Sequence, residues 1–294
     1  MLQDQSGDIT LVLPTFNRAG ALRANLGAML ALEDVGEVIV INDGSTDDTI
    51  EACSEFDDPR LKLVSHERNL GVAKARNTGI ENATRPWILF GEDDCRFPAD
   101  YGAILRREGE QLGADIVGAP LLHVAGDDAA AAALAASSPR REAPPTMDED
   151  NVFPKRPVRT PFLPARALVR RAVFDRIRFY EGYPSNAYRE ETDFFVQAAR
   201  TGFVPLLTPE TYCYQLETWD GGQHHSSTLR YEYWAVRNNW TFLRRHGTWL
   251  RSEGLIDGIV HSQVEFVLRR VRITATGAIR ARMRRLRARG AGTR

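Results

Sequence analysis

Cysteine is scarce in this chain, and long apolar runs are missing. Cys53, Cys95 and Cys213 are odd in number, far apart and without CxxC spacing, which argues against a disulfide framework or a thiolate zinc site. Nowhere do about 18 consecutive apolar residues occur, so no transmembrane helix is predicted. The polar, acidic start at 1–5 does not resemble a signal peptide. We therefore expect a cytoplasmic protein, or one held peripherally at the cytoplasmic face of a membrane.

An overall excess of charge is also missing. The formal net charge is -1, so no global positive field attracts nucleic acid, which is not expected as a partner. Arginines do gather near the C-terminus, around an apolar stripe that repeats every three or four residues from Ile256 to Leu286. Such a basic amphipathic helix is typical of binding to an anionic membrane surface; packing on the protein and nucleic-acid binding are the alternatives.

From residue 9 the chain alternates short apolar runs with amphipathic segments. Four such strand-helix units predict an α/β fold with a mostly parallel, Rossmann-like central sheet and helices on both faces. In an open sheet of this kind ligands bind beyond the carboxyl ends of the strands, so four loops should converge on one crevice. The predicted strands are 9–13, 38–41, 61–64 and 87–90, and the predicted helices are 19–32, 46–56, 72–83 and 98–112.

Composition changes within 126–157, where an alanine run is followed by proline, serine and acidic residues. We predict a mobile insertion, either a linker or a lid that gates the substrate. The predicted organisation is a domain over 1–250, with a nucleotide-binding half at 1–118 and an acceptor-binding half at 158–250. A basic helical tail follows at 251–294.

An acidic triplet, Glu92, Asp93 and Asp94, follows the apolar run 87–90 almost directly. Neighbouring carboxylates repel one another and lose hydration beside a buried strand, so a positive partner is needed. Mg²⁺ and Mn²⁺ prefer oxygen ligands and are commonly held by one or two carboxylates together with substrate phosphates. The residues alone leave two interpretations open, a metal and diphosphate site or an acidic loop in solvent.

Polar residues also follow the first two predicted strands. Pro14 disfavours helix next to it, and Thr15, Asn17 and Arg18 offer hydrogen-bond donors to a nucleotide near a helix start. Asp43 is placed to accept hydrogen bonds from a base, unless its loop is an ordinary capped turn.

Two basic residues, Lys74 and Arg76, lie inside the short helix predicted after the third strand. A buried or half-buried cation in such a helix needs a partner. Either residue could balance a bound diphosphate or the acidic triplet.

Four segments, in this order and spacing, resemble the family 2 glycosyltransferases of the GT-A fold. They are Pro14–Arg18, Ile41–Asp47, Asn69–Gly79 and Phe90–Asp94. The similarity is close over about 8–118 and looser to about 230. It implies a metal-dependent enzyme that moves a sugar, with inversion, from a nucleoside diphosphate sugar to an acceptor hydroxyl. A UDP-sugar is the expected donor, with guanosine and thymidine nucleotides as alternatives, and Mg²⁺ or Mn²⁺ is the expected cofactor. The basic C-terminal helix favours a cell-envelope or lipid-linked glycan as the acceptor.

The resemblance also implies roles for the strand-end residues. Within the acidic triplet, Glu92 stands where the family has the first aspartate of its Asp-x-Asp element. Asp93 would lie beside the ribose, and Asp94 would bind the metal. The residues assigned to the nucleotide are Thr15, Asn17, Arg18 and Asp43.

A second acidic element, Glu190-Glu191-Thr192-Asp193, resembles the family's Glu-Asp element near the acceptor. Inverting transfer needs a carboxylate that removes the acceptor hydroxyl proton while a metal stabilises the departing diphosphate. Glu191 is the expected base, with Glu190 and Asp193 as alternatives and helix capping as the purely structural explanation. Asp193 is otherwise expected near the acceptor or sugar.

Further site residues are expected downstream. Members of this family often complete the metal sphere with a histidine, and His224 or His225 is the candidate, although adjacent histidines in a polar loop are commonly solvated. Trp219 is expected either to stack on a sugar or acceptor ring or to pack in the core.

Two other functions are alternatives to sugar transfer. A sugar-phosphate nucleotidyltransferase would need an early glycine-rich loop, and Pro14–Arg18 is not one. A non-catalytic, membrane-attached nucleotide-binding protein is the remaining alternative, which the joint presence of Asp43, Asp94 and Glu191 disfavours.

Overall fold

The computed structural model describes residues 7–124, 127–149, 151–216, 228–272 and 274. The chain divides into two compact units. The first unit comprises Met1–Gly182 and Glu190–His225, and the second comprises Tyr183–Arg189 and Ser226–Arg294. The predicted division at residue 250 stays a prediction.

The first unit contains the alternating strands and helices predicted for the N-terminal half, followed by short strands, two further α-helices and a 3-10 helix. In chain order, its described elements are β1 (Ile9–Thr15), α1 (Ala19–Leu30), β2 (Val35–Asn42), α2 (Thr49–Ser54), β3 (Leu61–Ser65), α3 (Val72–Asn82), β4 (Trp87–Phe90), β5 (Cys95–Arg96), α4 (Tyr101–Leu112), β6 (Ile116–Gly118), β7 (Leu121–Val124), α5 (Asp128–Ser137), β8 (Arg140–Arg141), β9 (Phe153–Pro154), β10 (Val158–Arg159), β11 (Leu168–Arg170), a 3-10 helix (Arg171–Asp175), α6 (Glu190–Arg200), β12 (Pro205–Leu207) and β13 (Cys213–Leu216).

The central sheet has the strand order β10-β12-β6-β11-β4-β1-β2-β3 among the described residues. β3, β2, β1 and β4 are parallel neighbours, whereas β11 is antiparallel between β4 and β6. The predicted mostly parallel α/β sheet is therefore confirmed.

Both faces of the sheet are covered, because side chains of β1 alternate between two apolar clusters. Leu11 and Leu13 pack into one cluster with Leu22 of α1, while Val12 packs into the other with Ala75 of α3. Alternate side chains of a strand point to opposite faces, so a strand covered on both sides is apolar throughout. Because β1, β2 and β4 are parallel, their carboxyl ends lie at one edge of the sheet.

A smaller sheet lies beside the end of β4. β13 pairs antiparallel with β5 and parallel with β7, which places Gln215 opposite Cys95. β5, β6, β7 and β10 were not predicted. Unlike the equally short β4, which is an uninterrupted apolar run followed by an acidic triplet, they have no distinctive composition, and they are too short to show a periodic pattern.

The segment 126–157, predicted to be a mobile insertion, contains regular structure. Asp127 caps α5 by accepting a hydrogen bond from the Ala130 amide at 3.0 Å, and Ala131 of this helix is buried in a cluster with Leu122 and Val124. β8 and β9 form a short parallel pair. That the segment 126–157 is mobile, and that it gates the substrate, stay predictions.

The second unit contains α7 (Thr228–Ser252) and a helical stretch over 259–272. Asn239 of α7 donates a hydrogen bond to Gln263 Oε1 at 2.7 Å, and Arg270 pairs with Glu232 at 2.6 Å. Most of the predicted basic tail, from residue 275 onward, lies outside the described residues. Within the part of the chain that is described, no helix is long and apolar enough to cross a membrane.

Candidate active site

The ends of β1 and β4 meet at the carboxyl edge of the central sheet. Thr15 Oγ1 donates a hydrogen bond to Asp93 Oδ2 at 2.8 Å. The Arg18 guanidinium lies 3.0 Å from Asp93 Oδ1 and 3.1 Å from Asp94 Oδ2. Because the two strands are parallel neighbours, their terminal loops leave the sheet side by side. The structure thus brings together residues predicted for the nucleotide and for the metal.

The end of β2 is joined to the end of β1 by side-chain hydrogen bonds. Asn17 adopts a left-handed backbone, with φ of 54°, which asparagine tolerates better than most residues. Its Oδ1 accepts from the Thr46 amide at 2.7 Å, and its own amide donates to Ser45 Oγ at 2.9 Å. Gly44 also has a positive φ, and a Cβ there would lie 2.3 Å from the Arg68 backbone, so the turn requires glycine.

Asp43 is buried at the same edge and is held mainly by backbone donors. Its carboxylate accepts hydrogen bonds from the Leu70 and Gly71 amides, each at 2.9 Å. The His66 ring contacts the same carboxylate through Nδ1 at 2.7 Å and Thr78 Oγ1 through Nε2 at 3.0 Å. Asp43 therefore ties the start of α3 to the end of β2.

Arg76 of α3 is almost fully buried and contacts three carboxylates. Its Nη2 lies 3.0 Å from Glu191 Oε1 and 3.1 Å from Glu92 Oε1, and its Nη1 pairs with Glu190. Of the two predicted roles for Arg76, the structure shows a contact to the acidic triplet. Lys74 is partly exposed instead, with Nζ 3.9 Å from Glu181 Oε1.

Arg166, which precedes β11, is a site residue that the sequence analysis missed. Its Nη2 pairs with Glu92, and its Nε donates to Cys95 Sγ at 3.0 Å. Glu92 therefore lies between two buried guanidinium groups, from Arg76 and Arg166. A lone arginine in a non-periodic segment carries no sequence signal for this contact.

Gln215 of β13 was also missed. Its Nε2 donates to Asp94 Oδ2 at 3.0 Å, since β13 lies next to β5, immediately after the acidic triplet. The amino-acid sequence does not reveal which strand pairs with β5, so the contact could not be foreseen.

Burial raises the pKa of several carboxyl groups at this edge. Burial raises the pKa of Asp93 to about 7 despite the opposing effect of Arg18. Burial also raises the pKa of Glu190 to about 8, although the positive charge of Arg76 acts to lower it. The negative charge of Glu191 raises this pKa further. The pKa of Glu92 is raised as well, mainly by burial. The acidic side chains at this site outnumber the guanidinium groups, so an added cation would be stabilised here. The acidic side chains are Glu92, Asp93, Asp94, Glu190 and Glu191, and the guanidinium groups are those of Arg18, Arg76 and Arg166.

The donor atoms fit a divalent metal ion that prefers oxygen. Ligand atoms of Glu92, Asp94 and Cys95 all lie within 4.8 Å of one another. Burial raises the pKa of the Cys95 thiol well above its usual range, and a protonated thiol is a poor metal ligand. The two carboxylates are therefore the fitting ligands, and they suit Mg²⁺ or Mn²⁺.

Other predicted site residues lie elsewhere. Pro14 is within β1, opposite Ile41 of β2. Asp193 lies in the first turn of α6 and is fully buried. His224, His225 and Trp219 lie outside the described residues.

The profile of the family "Glycosyl transferase family 2" matches residues 10–178, more than half of the chain. The chain belongs to this family. ExoU, a succinoglycan biosynthesis protein of Rhizobium meliloti, is 35% identical over 111 residues, which are 37% of this chain and 32% of ExoU. EpsJ, an uncharacterized glycosyltransferase of Bacillus subtilis, is 29% identical over 206 residues, 62% of this chain and 56% of EpsJ. Each alignment thus spans only part of the relative.

Solved glycosyltransferase structures share the fold. Residues 1–349 of S. aureus TarS, in complex with UDP-GlcNAc, superpose with a TM-score of 0.60 at 17% identity, covering 84% of this chain and 74% of that one. The mannosyltransferase PcManGT from Pyrobaculum calidifontis, in complex with GDP-Man and Mn²⁺, gives 0.57 at 18% identity, covering 83% and 64%. The predicted GT-A fold of this family 2 member is confirmed.

Proposed function

We propose that this family 2 member transfers a sugar from a nucleoside diphosphate sugar, a UDP-sugar in the first instance, to an acceptor hydroxyl with inversion. One observation carries the proposal: Arg76 Nη2 contacts Glu92 and Glu191 together, at 3.1 and 3.0 Å. One guanidinium nitrogen therefore contacts both a carboxylate suited to binding the metal and a carboxylate suited to proton abstraction. The UDP-GlcNAc bound to TarS supports the choice of donor.

The nucleotide half of the proposed site is the edge formed by β1, β2 and β4. Asp43, whose carboxylate is held by backbone amides at the start of α3, is assigned to the nucleobase. Asp93, which contacts Thr15 and Arg18, is assigned to the ribose. Arg18 already contacts both Asp93 and Asp94. Its positive charge therefore lies beside the carboxylates assigned to the ribose and to the metal, where it would stabilise a bound diphosphate. Further nucleotide contacts are assigned to Pro14, Asn17 and Lys74.

Glu92 and Asp94 would hold the divalent metal, with His224 or His225 as a further ligand. Bound there, the metal would supply stabilisation of the negative charge that develops on the departing diphosphate. The Mn²⁺ in the PcManGT complex supports this assignment. Gln215 and Arg18 fix the Asp94 carboxylate by contacts to Oδ2.

Exposure separates the two candidate bases. The Glu191 side chain is 36% exposed, whereas that of Glu190 is 2% exposed and paired with Arg76. An acceptor hydroxyl can reach only an exposed carboxylate, so Glu191 is assigned as the base and Glu190 as the anchor of Arg76. In the reaction Glu191 takes the hydroxyl proton, the acceptor oxygen bonds to the anomeric carbon, and the bond to the nucleoside diphosphate breaks.

The acceptor is proposed to be a glycan or a lipid-linked sugar. The name of ExoU, a succinoglycan biosynthesis protein, supports a glycan acceptor. Trp219 is assigned to the acceptor or sugar side, because an aromatic ring can stack on a sugar. Asp193 is fully buried in the first turn of α6, so the role assigned to it on that side is to hold this turn in place and not to contact the acceptor.

A panel of nucleotide sugars, with and without Mn²⁺ or Mg²⁺, tests the proposal. We expect one nucleotide sugar to raise the Tm only when metal is present, since a ligand of the folded state alone stabilises it. Asp94→Asn should lose the metal-dependent part of the rise, and the exposed Asp57→Asn should keep it. No stabilisation by any donor would contradict the proposal. Stabilisation without transfer or donor hydrolysis would favour the non-catalytic alternative.

A further inference from the structure

The two helices of the second unit carry matching apolar stripes. Leu229, Tyr233, Val236 and Trp240 of α7 are spaced at i, i+4, i+7 and i+11, which places them on one face of the helix. The stretch 259–272 repeats the same spacing. Its stripe consists of Val260, Val264, Val267 and Val271.

A groove of about 800 Å³ lies between these helices. Leu229, Tyr233, Trp240, Val267 and Val271 are among the residues that line it. Apolar side chains of both stripes, in the groove and next to it, are exposed to solvent. The exposed fraction is 78% for Leu229, 59% for Tyr233, 67% for Val260, 51% for Val264 and 60% for Val271. We call this two-helix surface the apolar face of the second unit.

An exposed apolar surface that extends over two helices is unusual for a protein in water. Scattered apolar residues on a surface are normal, but contiguous patches commonly mark contact with a protein or a membrane. The cost of leaving such side chains in water is about 25 cal/mol per Å² of apolar area. Covering this face would therefore be favourable.

Charge around the face favours an anionic partner. Residues 228–272 contain eight arginines and four acidic residues. The groove itself is lined by Arg237, Arg270 and Glu232, and Glu232 pairs with Arg270, so one guanidinium is in excess there. The sequence after 274 adds further arginines and no acidic residue. A second copy of the chain would bring the same positive charge to the contact, so electrostatic repulsion opposes a symmetric dimer on this face.

The aromatic residues favour a lipid surface. Tyr233 and Trp240 both line the groove, and tyrosine and tryptophan prefer the boundary between head groups and acyl chains, where an apolar ring and a polar atom are both accommodated. Apolar side chains between arginines form the pattern by which amphipathic helices bind anionic membranes in the plane of the interface.

We propose that the apolar face of the second unit docks on an anionic lipid bilayer. Its valines, Leu229, Tyr233 and Trp240 enter the boundary with the acyl chains, and the surrounding arginines contact lipid phosphates. This site consists of described residues in α7 and 259–272, and it is distinct from the arginine-rich segment beyond residue 274. Attachment at this face does not depend on the sugar-transfer proposal.

Co-sedimentation of the full chain with vesicles tests the site. The vesicles contain phosphatidylcholine alone or phosphatidylcholine mixed with phosphatidylglycerol. The wild-type chain should bind only the mixed vesicles. Replacing Leu229, Tyr233 and Val271 together by serine should weaken that binding roughly tenfold or more, because apolar burial is lost. These side chains are more than half exposed, so the variant should fold, as an unchanged Tm would show.

A matched control and a truncation complete the design. Ile50→Ser with Leu112→Ser removes exposed apolar side chains from the first unit, 49% and 45% exposed, and should leave binding unchanged. A chain ending at Thr274 keeps the arginines of 228–272, so it should still bind the mixed vesicles, with a smaller salt dependence than the full chain. The triple variant should bind weakly but keep the salt dependence of the full chain. Thermal stabilisation by the donor, measured on each variant, reports separately on the sugar-transfer site.

Three results would overturn the proposal. They are wild-type failure to bind the mixed vesicles, triple-variant binding as tight as that of the wild type, and a lipid-free wild-type dimer that the triple variant converts to monomer. The last result would identify a second copy of the chain as the occupant.

Discussion

Asp43 and the carboxylates around Arg76 lie at the same site, but they are stabilised in different ways. Asp43 accepts hydrogen bonds from the Leu70 and Gly71 amides, so the backbone of the α3 start supplies its donors. Glu92, Glu190 and Glu191 share the guanidinium of Arg76. The first arrangement is fixed by the fold, whereas the second concentrates negative charge around few cations.

Under the proposed function, this contrast separates a part of the site that would position the nucleotide from a part that would take part in the reaction. Backbone donors hold Asp43 without an added charge, which suits a rigid contact to a nucleotide. The surplus of carboxylates near Arg76 makes the binding of a cation and the exchange of a proton favourable at that place.

Removing the Arg76 guanidinium should produce the largest change in stability. Arg76→Met leaves Glu190 buried without its cation, and breaking a buried pair in this way costs about 3–5 kcal/mol. Denaturant unfolding at pH 8 measures the loss. Arg23→Met is the matched control, because the Arg23–Glu55 pair is largely exposed and should contribute at most about 1 kcal/mol. Equal losses of unfolding free energy in the two variants would contradict the view that Arg76 stabilises the fold by pairing with the buried Glu190.

Asp43→Asn should have a smaller effect on stability. The asparagine side chain has one accepting oxygen, so one of the two amides at the start of α3 loses its acceptor and faces a donor. A buried unsatisfied donor costs about 1–3 kcal/mol. Urea unfolding and donor affinity are the two measurements, and both should fall.

Asp48→Asn is the control in the same loop, since Asp48 is exposed and its side chain makes no capping hydrogen bond to α2. It should leave stability and donor affinity unchanged. If Asp43→Asn behaved like Asp48→Asn, backbone donors would not be what holds this part of the site.

The pH dependence of stability should show the smallest effect. Burial raises the pKa of Glu190 from its ordinary value of 4.5 to about 8. Between these values the folded chain holds a proton that the unfolded chain has released, so the free energy of unfolding falls as the pH rises. Glu190→Gln cannot ionise and should give a shallower slope from pH 4.5 to 8, measured with a chelator present. Parallel curves for the two proteins would contradict this account of Glu190.

The sequence predicts the parts of the site that lie directly after long strands. Thr15, Arg18, Asp43 and the acidic triplet follow apolar runs that are recognisable by composition, and parallel pairing brings such ends together. The partner of Arg76 was one of two stated alternatives. These predictions depend only on local pattern and on the geometry of parallel sheets.

The remaining contacts depend on pairing that no local pattern reveals. Arg166 reaches Cys95 across 71 positions, and Gln215 reaches Asp94 across 121. Both contacts are made beside β5, and a strand of only two residues cannot show a period. The choice between Glu190 and Glu191 likewise needed side-chain exposure, which adjacent residues in a sequence do not disclose.

The rate of sugar transfer by Glu191→Gln tests the central claim most directly. If Glu191 removes the acceptor proton, turnover should fall by about 10²–10⁴, while the Kd for the donor stays within error of wild type. The substitution keeps the size of the side chain and its hydrogen-bonding oxygen beside Arg76, so folding should be preserved. Turnover close to that of the wild-type chain, with the donor bound as before, would contradict the account.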